Sequence, residues 1–88
     1  MKLTSNDKSL LKKWGFSDQD FAQIEEALQR RKTKYRLGSK PISREEAIVV
    51  LGRETFLSGI SRSAFHYTAA RKTSAGEVVY FDSCKLFE

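Results

Sequence analysis

Arg62, Ser63, His66, Tyr67 and Arg71 lie close together in the chain, and their guanidinium, hydroxyl, imidazole and phenol groups can all hydrogen-bond base edges or phosphate oxygens. At helical spacing Arg62, Ser63, His66 and Ala70 share one side, with Tyr67 and Arg71 at its edge, while Ala64, Phe65, Thr68 and Ala69 make the opposite, more apolar side. The expectation is a helix that probes a nucleic-acid groove, with Arg62, Ser63, His66 and Tyr67 turned to bases and Arg71 and Lys72 to phosphates. A second basic group precedes it. Residues 30–36 read RRKTKYR, and Lys32, Lys34 and Arg36 are expected to contact phosphate while Tyr35 packs on a sugar or base. Arg30 and Arg31 suit equally well a solvated helix end, where cations complement the C-terminal dipole.

Catalysis finds little support. His66 is the one histidine and Cys84 the one cysteine. No strained nucleophile turn or oxyanion nest surrounds that cysteine, and the glycines are too scattered to cradle a phosphate. A lone cysteine forms no internal disulfide, and no Cys/His cluster suggests zinc. No catalytic residue, metal, cofactor or small-molecule substrate is expected.

The elements that must position these groups are marked by their ends. Thr4 or Ser5 opens a first helix through Leu10, Leu11 and Trp14, closed by Gly15. Ser17, with acids behind it and a Phe16 to Phe21 staple, opens a second whose inner face is Phe21, Ile24, Ala27 and Leu28. Ser43 and Glu46 have capping-box spacing before the stripe Ala47, Ile48, Val50, Leu51, and Gly52 stops that helix. Ser61 is expected to cap the groove-probing helix after a turn at Gly59, with Ile60 stapled onto Phe65. Residues 37–41 read as a turn or linker. Tyr35 to Leu37 or Ile42 is a candidate short strand beside a hairpin that runs from about Ala70 or Arg71 to Phe81 across residues 73–76. Asp82 is expected to cap a last turn in which Leu86 and Phe87 pack back on the core.

The words EEAIVVLG and GISRSAFH, followed by AGEVVYFDSCKLF, resemble the winged helix-turn-helix of the excisionase and MerR-like group. The likeness covers about half the chain. It implies that Gly59, Ile60, Ser61, Arg62 and Ser63 form the turn and helix opening, that Arg62, Ser63 and His66 face the groove, and that the final hairpin is a wing. The chain departs from that pattern at Ile48, where a small residue is usual, and at residues 53–58, which read as an insertion. The fold expected is mainly α with a small β-hairpin: one domain, 1–88, in which an N-terminal helical hairpin and basic run (1–37) precede a winged helix-turn-helix-like part (38–88).

Composition agrees with a small single domain. Ten aromatic rings in 88 residues and a hydrophobic fraction of 40% are enough to close one core. The net charge of +5 is uneven: residues 1–29 hold four lysines against five acids, and residues 30–88 hold twelve basic residues against six acids. The cationic half is thus the half with the expected groove helix, and a polyanion is the partner it suits. Without a membrane-length apolar run or a basic-then-apolar leader, a cytoplasmic protein is expected. Double-stranded DNA is the expected partner, bound in a sequence-specific or architectural way, in excisionase-like work in a mobile element or in transcription regulation, with a homodimer, repeated sites or a protein partner adding affinity. The competing expectation is a protein-interaction module, inhibitor or adaptor, using the basic face or an N-terminal patch of Trp14, Phe16 and Phe21.

Overall fold

The computed structural model describes residues 3–30 and 33–83, with all their side chains except those of Arg30, Phe65 and Ser83. Among these residues run α1 (Ser5–Lys13), α2 (Asp18–Arg30), β1 (Thr33–Leu37), β2 (Lys40–Ile42), α3 (Arg44–Leu51), α4 (Arg53–His66), β3 (Thr68–Lys72) and β4 (Val78–Ser83). The fold is mixed α/β rather than mainly α. Its strands form one antiparallel sheet in the order β2-β1-β4-β3.

The helix starts follow the expected local chemistry. Thr4 caps α1 by accepting from the Asp7 amide at 3.1 Å, and the Asp7 carboxylate returns the bond to the Thr4 amide at 3.0 Å. At α2, Asp20 accepts from both the amide and the hydroxyl of Ser17. Ser43 caps α3 by accepting from the Glu46 amide at 3.1 Å. Gly52, at φ 83, ends α3 and begins α4 directly, a backbone setting open to glycine and costly for other residues.

From there the chain differs from the sequence-based expectation. Residues 53–58, expected to lie between two helices, are the first turns of α4, which continues without a break through Gly59, Ser61 and Ser63. Gly59 is not a turn glycine. It lies where α4 touches the sheet, and a Cβ there would run into the ring of Phe81. Ser61, fully buried, spends its hydroxyl on the Ser58 carbonyl at 3.0 Å instead of capping a helix. The end of α4 is Tyr67, at φ 59, so Thr68 and Ala69 belong to β3 and not to a helix face.

The basic run likewise leaves its helix early. Residues 33–37 form β1, which pairs with β4 from Thr33 opposite Ser83 to Leu37 opposite Val79. The supposed linker is the tight turn between β1 and β2, with Gly38 at φ 63, and the expected two-stranded wing is half of a four-stranded sheet. Because β1 lies between β2 and β4, the two segments of the expected division, 1–37 and 38–88, share one sheet. Asp82 is a β4 residue whose carboxylate is bonded to Arg36 and Thr68, and the last turn it was expected to cap lies outside the described residues. Lys32, Cys84, Leu86 and Phe87 lie outside the described residues, and so does the Phe65 side chain of the expected staple.

The core fills the space between the sheet and the helices. Tyr35, Phe56 and Phe81 meet at ring-centroid distances of 5.6 to 5.8 Å, and Leu11, Ile24, Leu28, Leu57, Ile60 and Val79 close around them. α4 runs through the middle, packed on α1, α2 and α3 as well as on β3 and β4. Among the described residues no helix is long and apolar enough to cross a membrane.

Candidate nucleic-acid interface

Strand alternation gives the sheet two unlike faces. Tyr35, Ala69, Val79 and Phe81 point at the helices and are buried. The register places the intervening residues in rows on the other face: Lys34, Asp82 and Thr68; then Pro41, Arg36, Tyr80 and Ala70; then Val78 and Lys72. Among the described residues no element covers this face. It carries three cations, Lys34, Arg36 and Lys72, and one acid, Asp82.

The single acid is fully engaged. Arg36 donates from Nε to Asp82 Oδ2 at 2.7 Å and from Nη1 to the Gly38 carbonyl at 3.3 Å, and Thr68 Oγ1 donates to Asp82 Oδ1 at 3.2 Å. The Arg36 hydrogen bond, outweighing burial, holds the Asp82 carboxyl below the ordinary aspartate value. The same bond raises Arg36. The Arg36 guanidinium also lies over the Tyr80 ring, 4.7 Å from its centroid, so it is oriented on both sides. Lys34 and Lys72, both exposed, make no ion pair among the described residues.

One edge of the sheet adjoins the last turn of α4. Arg62 and His66 are exposed there, and Tyr67 is 54% exposed. Arg71, on β3, donates to the Ser58 hydroxyl at 2.8 and 3.2 Å and to the Ala70 carbonyl at 2.7 Å. Burial, and then the neighbouring positive charge of Arg62, hold Arg71 below the ordinary guanidinium value. Two cations are therefore held near one another, an arrangement that an oxyanion would relieve.

Several expected contacts change role. Ser63 is fully buried, and its hydroxyl has no hydrogen-bond partner among the described residues; it cannot reach a base edge. Tyr35, 8% exposed, is a core aromatic and not a sugar platform. Tyr67 and Arg71 are not on the helix with Arg62. Phe21 is buried, and Trp14 and Phe16 pack partly buried against the core, so the N-terminal aromatics do not form an open patch. Lys34, Arg36 and Lys72 are brought onto one surface, and Arg62, His66 and Tyr67 stand beyond the β3 edge. Sequence reasoning did not place Tyr80, Asp82 and Thr68 on this face. The available signal was the period-two pattern of residues 78–82, which puts Val78, Tyr80 and Asp82 on one face with Val79 and Phe81 on the other.

Comparison of the chain with protein-family models, with curated proteins and with solved structures finds no match in any of the three.

Proposed function

We propose that the protein binds double-stranded DNA mainly through its phosphates, presenting the uncovered sheet face with the last turn of α4 at its border. The observation that carries this reading is the concentration of Lys34, Arg36 and Lys72 on a face whose one acid is already bonded to Arg36 and Thr68. Lys34 and Lys72 lie two strands and four residues apart in register, which is about 17 Å from standard sheet spacings. Duplex DNA carries a charge about every 1.7 Å of its axis. Each cation therefore has a phosphate within reach.

Of a winged helix-turn-helix mode, as in excisionase-like or transcription-regulating proteins, this proposal keeps the β3–β4 hairpin as a contacting element. It gives up insertion of α4 along a groove, because α4 is the central helix of the core, with Phe56, Leu57, Ile60 and Ser61 fully buried. Specificity then falls to Arg62, His66 and Tyr67 at the end of α4. Duplex is favoured over single strands because stacking platforms are scarce: Tyr35 is buried and Tyr80 lies beneath Arg36. A protein-interaction role draws less support, since Trp14, Phe16 and Phe21 serve the core.

The test is a salt titration of binding to random duplex DNA. Lys34→Ala and Lys72→Ala are each expected to weaken all duplexes alike and to lower the slope of log affinity against log salt by about one. Lys8→Ala, exposed on α1 and away from the face, is expected to leave that slope unchanged. Equal slopes for wild type and both lysine variants would contradict the proposal.

A further inference from the structure

A second polar site lies on the opposite side of β1 from the basic face. A cleft of about 280 Å³ is lined by Leu28, Thr33, Tyr35, Ser43, Arg44 and Glu45, where the end of α2, the first residues of β1 and the start of α3 meet. Thr33 lines this cleft and is only 4% exposed, and its buried hydroxyl has no hydrogen-bond partner among the described residues. A buried hydroxyl in that condition costs on the order of 1–3 kcal/mol unless something completes it. The other groups at the cleft are mostly donors. Ser43 Oγ accepts from the Glu46 amide and retains its own proton to give. Arg44 is anchored by an Nη1 hydrogen bond to the Leu28 carbonyl at 2.9 Å. The first amides of α3 bring the positive end of a helix dipole.

We propose that this cleft is a binding site for a small oxyanion of phosphate size, received by the Thr33 hydroxyl, the Arg44 guanidinium and the N-terminus of α3. Tyr35 supplies a fourth donor. Burial, the largest influence on it, pushes its phenol up to about 12, so it stays protonated at neutral pH. Glu45 is the internal competitor: its carboxylate lies 3.4 Å from Arg44 Nη2, and its side chain is 72% exposed. The cleft volume is at the lower limit of organic ligand pockets, which fits a compact anion and not a nucleotide. The site is independent of the DNA-binding surface, which uses the alternate residues of β1.

The experiment uses inorganic phosphate as probe, with chloride at matched ionic strength as control, and reads both calorimetric affinity and the rise in melting temperature. Wild type is expected to bind phosphate with millimolar or tighter affinity and to be stabilised by it beyond the chloride control. Thr33→Val removes the hydroxyl while keeping the side-chain shape. It is expected to be at least as stable as wild type without phosphate and to bind phosphate about tenfold more weakly. Glu45→Gln removes the competing carboxylate and is expected to bind phosphate more tightly. Phosphate acting no differently from chloride, Thr33→Val binding as well as wild type, or Glu45→Gln binding more weakly would each overturn the proposal. Weaker DNA binding in Lys34→Ala with phosphate binding intact is the expected result for two separate sites.

Discussion

Asp7 and Ser63 show how single buried polar side chains shape this fold. Asp7 caps α1 and also receives two bonds from Arg53, including Nε to Oδ1 at 3.0 Å, so one carboxylate ties the first helix to the start of α4. Burial alone would push the Asp7 carboxyl up; the hydrogen bonds from Arg53 and from the Thr4 backbone outweigh it and hold it low. Asp82 is lowered too, chiefly by Arg36. Because both titrate lower when folded, their stabilisation is whole above the ordinary aspartate value of about 3.9 and is lost as pH falls through the depressed folded values. Asp7→Asn is expected to cost about 2 kcal/mol at neutral pH, the size of a lost charged hydrogen bond discounted for the part-exposed Arg53. It should also flatten the acid limb of a denaturation profile. Ser63→Ala tests the helix-face expectation itself. Deleting a buried hydroxyl that has no partner among the described residues should raise stability by about 1 kcal/mol and leave DNA affinity unchanged in a binding titration.

At the scale of elements, α4 carries the fold, and Gly59 is the point where it comes closest to the sheet. Gly59→Ala gains up to about 1 kcal/mol of helix propensity but forces a methyl into the buried Phe81 ring, an overpacking cost of about 1–3 kcal/mol. A net loss of stability in chemical denaturation is therefore expected, opposite to the usual sign for this change in a helix. The same glycine explains why the sequence misleads here. Its local signals, Gly-Ile-Ser with Ser61 as a plausible cap, describe a turn, and what overrides them is a contact with a residue 22 positions away. Where the deciding chemistry is local, the sequence reads well: Thr4, Ser17 and Ser43 start their helices, Gly15 and Gly52 mark two ends, and residues 73–76 turn the last hairpin. Strand β1 was half legible, since Thr-Lys-Tyr-Arg-Leu alternates, but its partners β2 and β4 are set by sheet pairing over both short and long sequence separations. That pairing moved Lys34 and Arg36 from a helix end to a sheet face and sent Tyr35 into the core.

For the whole molecule, the net charge of +5 matters less than where it sits. The helices occupy one side of the sheet and use most of the apolar surface, leaving the far side cationic and, among the described residues, uncovered. Such a face gives affinity that depends on salt more than on sequence, with steering by the summed field. The central claim is that this face, and not the length of α4, meets DNA. Its most direct test is amide mapping by nuclear magnetic resonance during titration with a short duplex at low salt. The account predicts the largest shifts at Lys34, Arg36, Ala70, Lys72 and Tyr80, smaller ones at Arg62 to Tyr67, and none along the α2–α4 contact. Shifts confined to α4, or absent from β1 and β3, would contradict it.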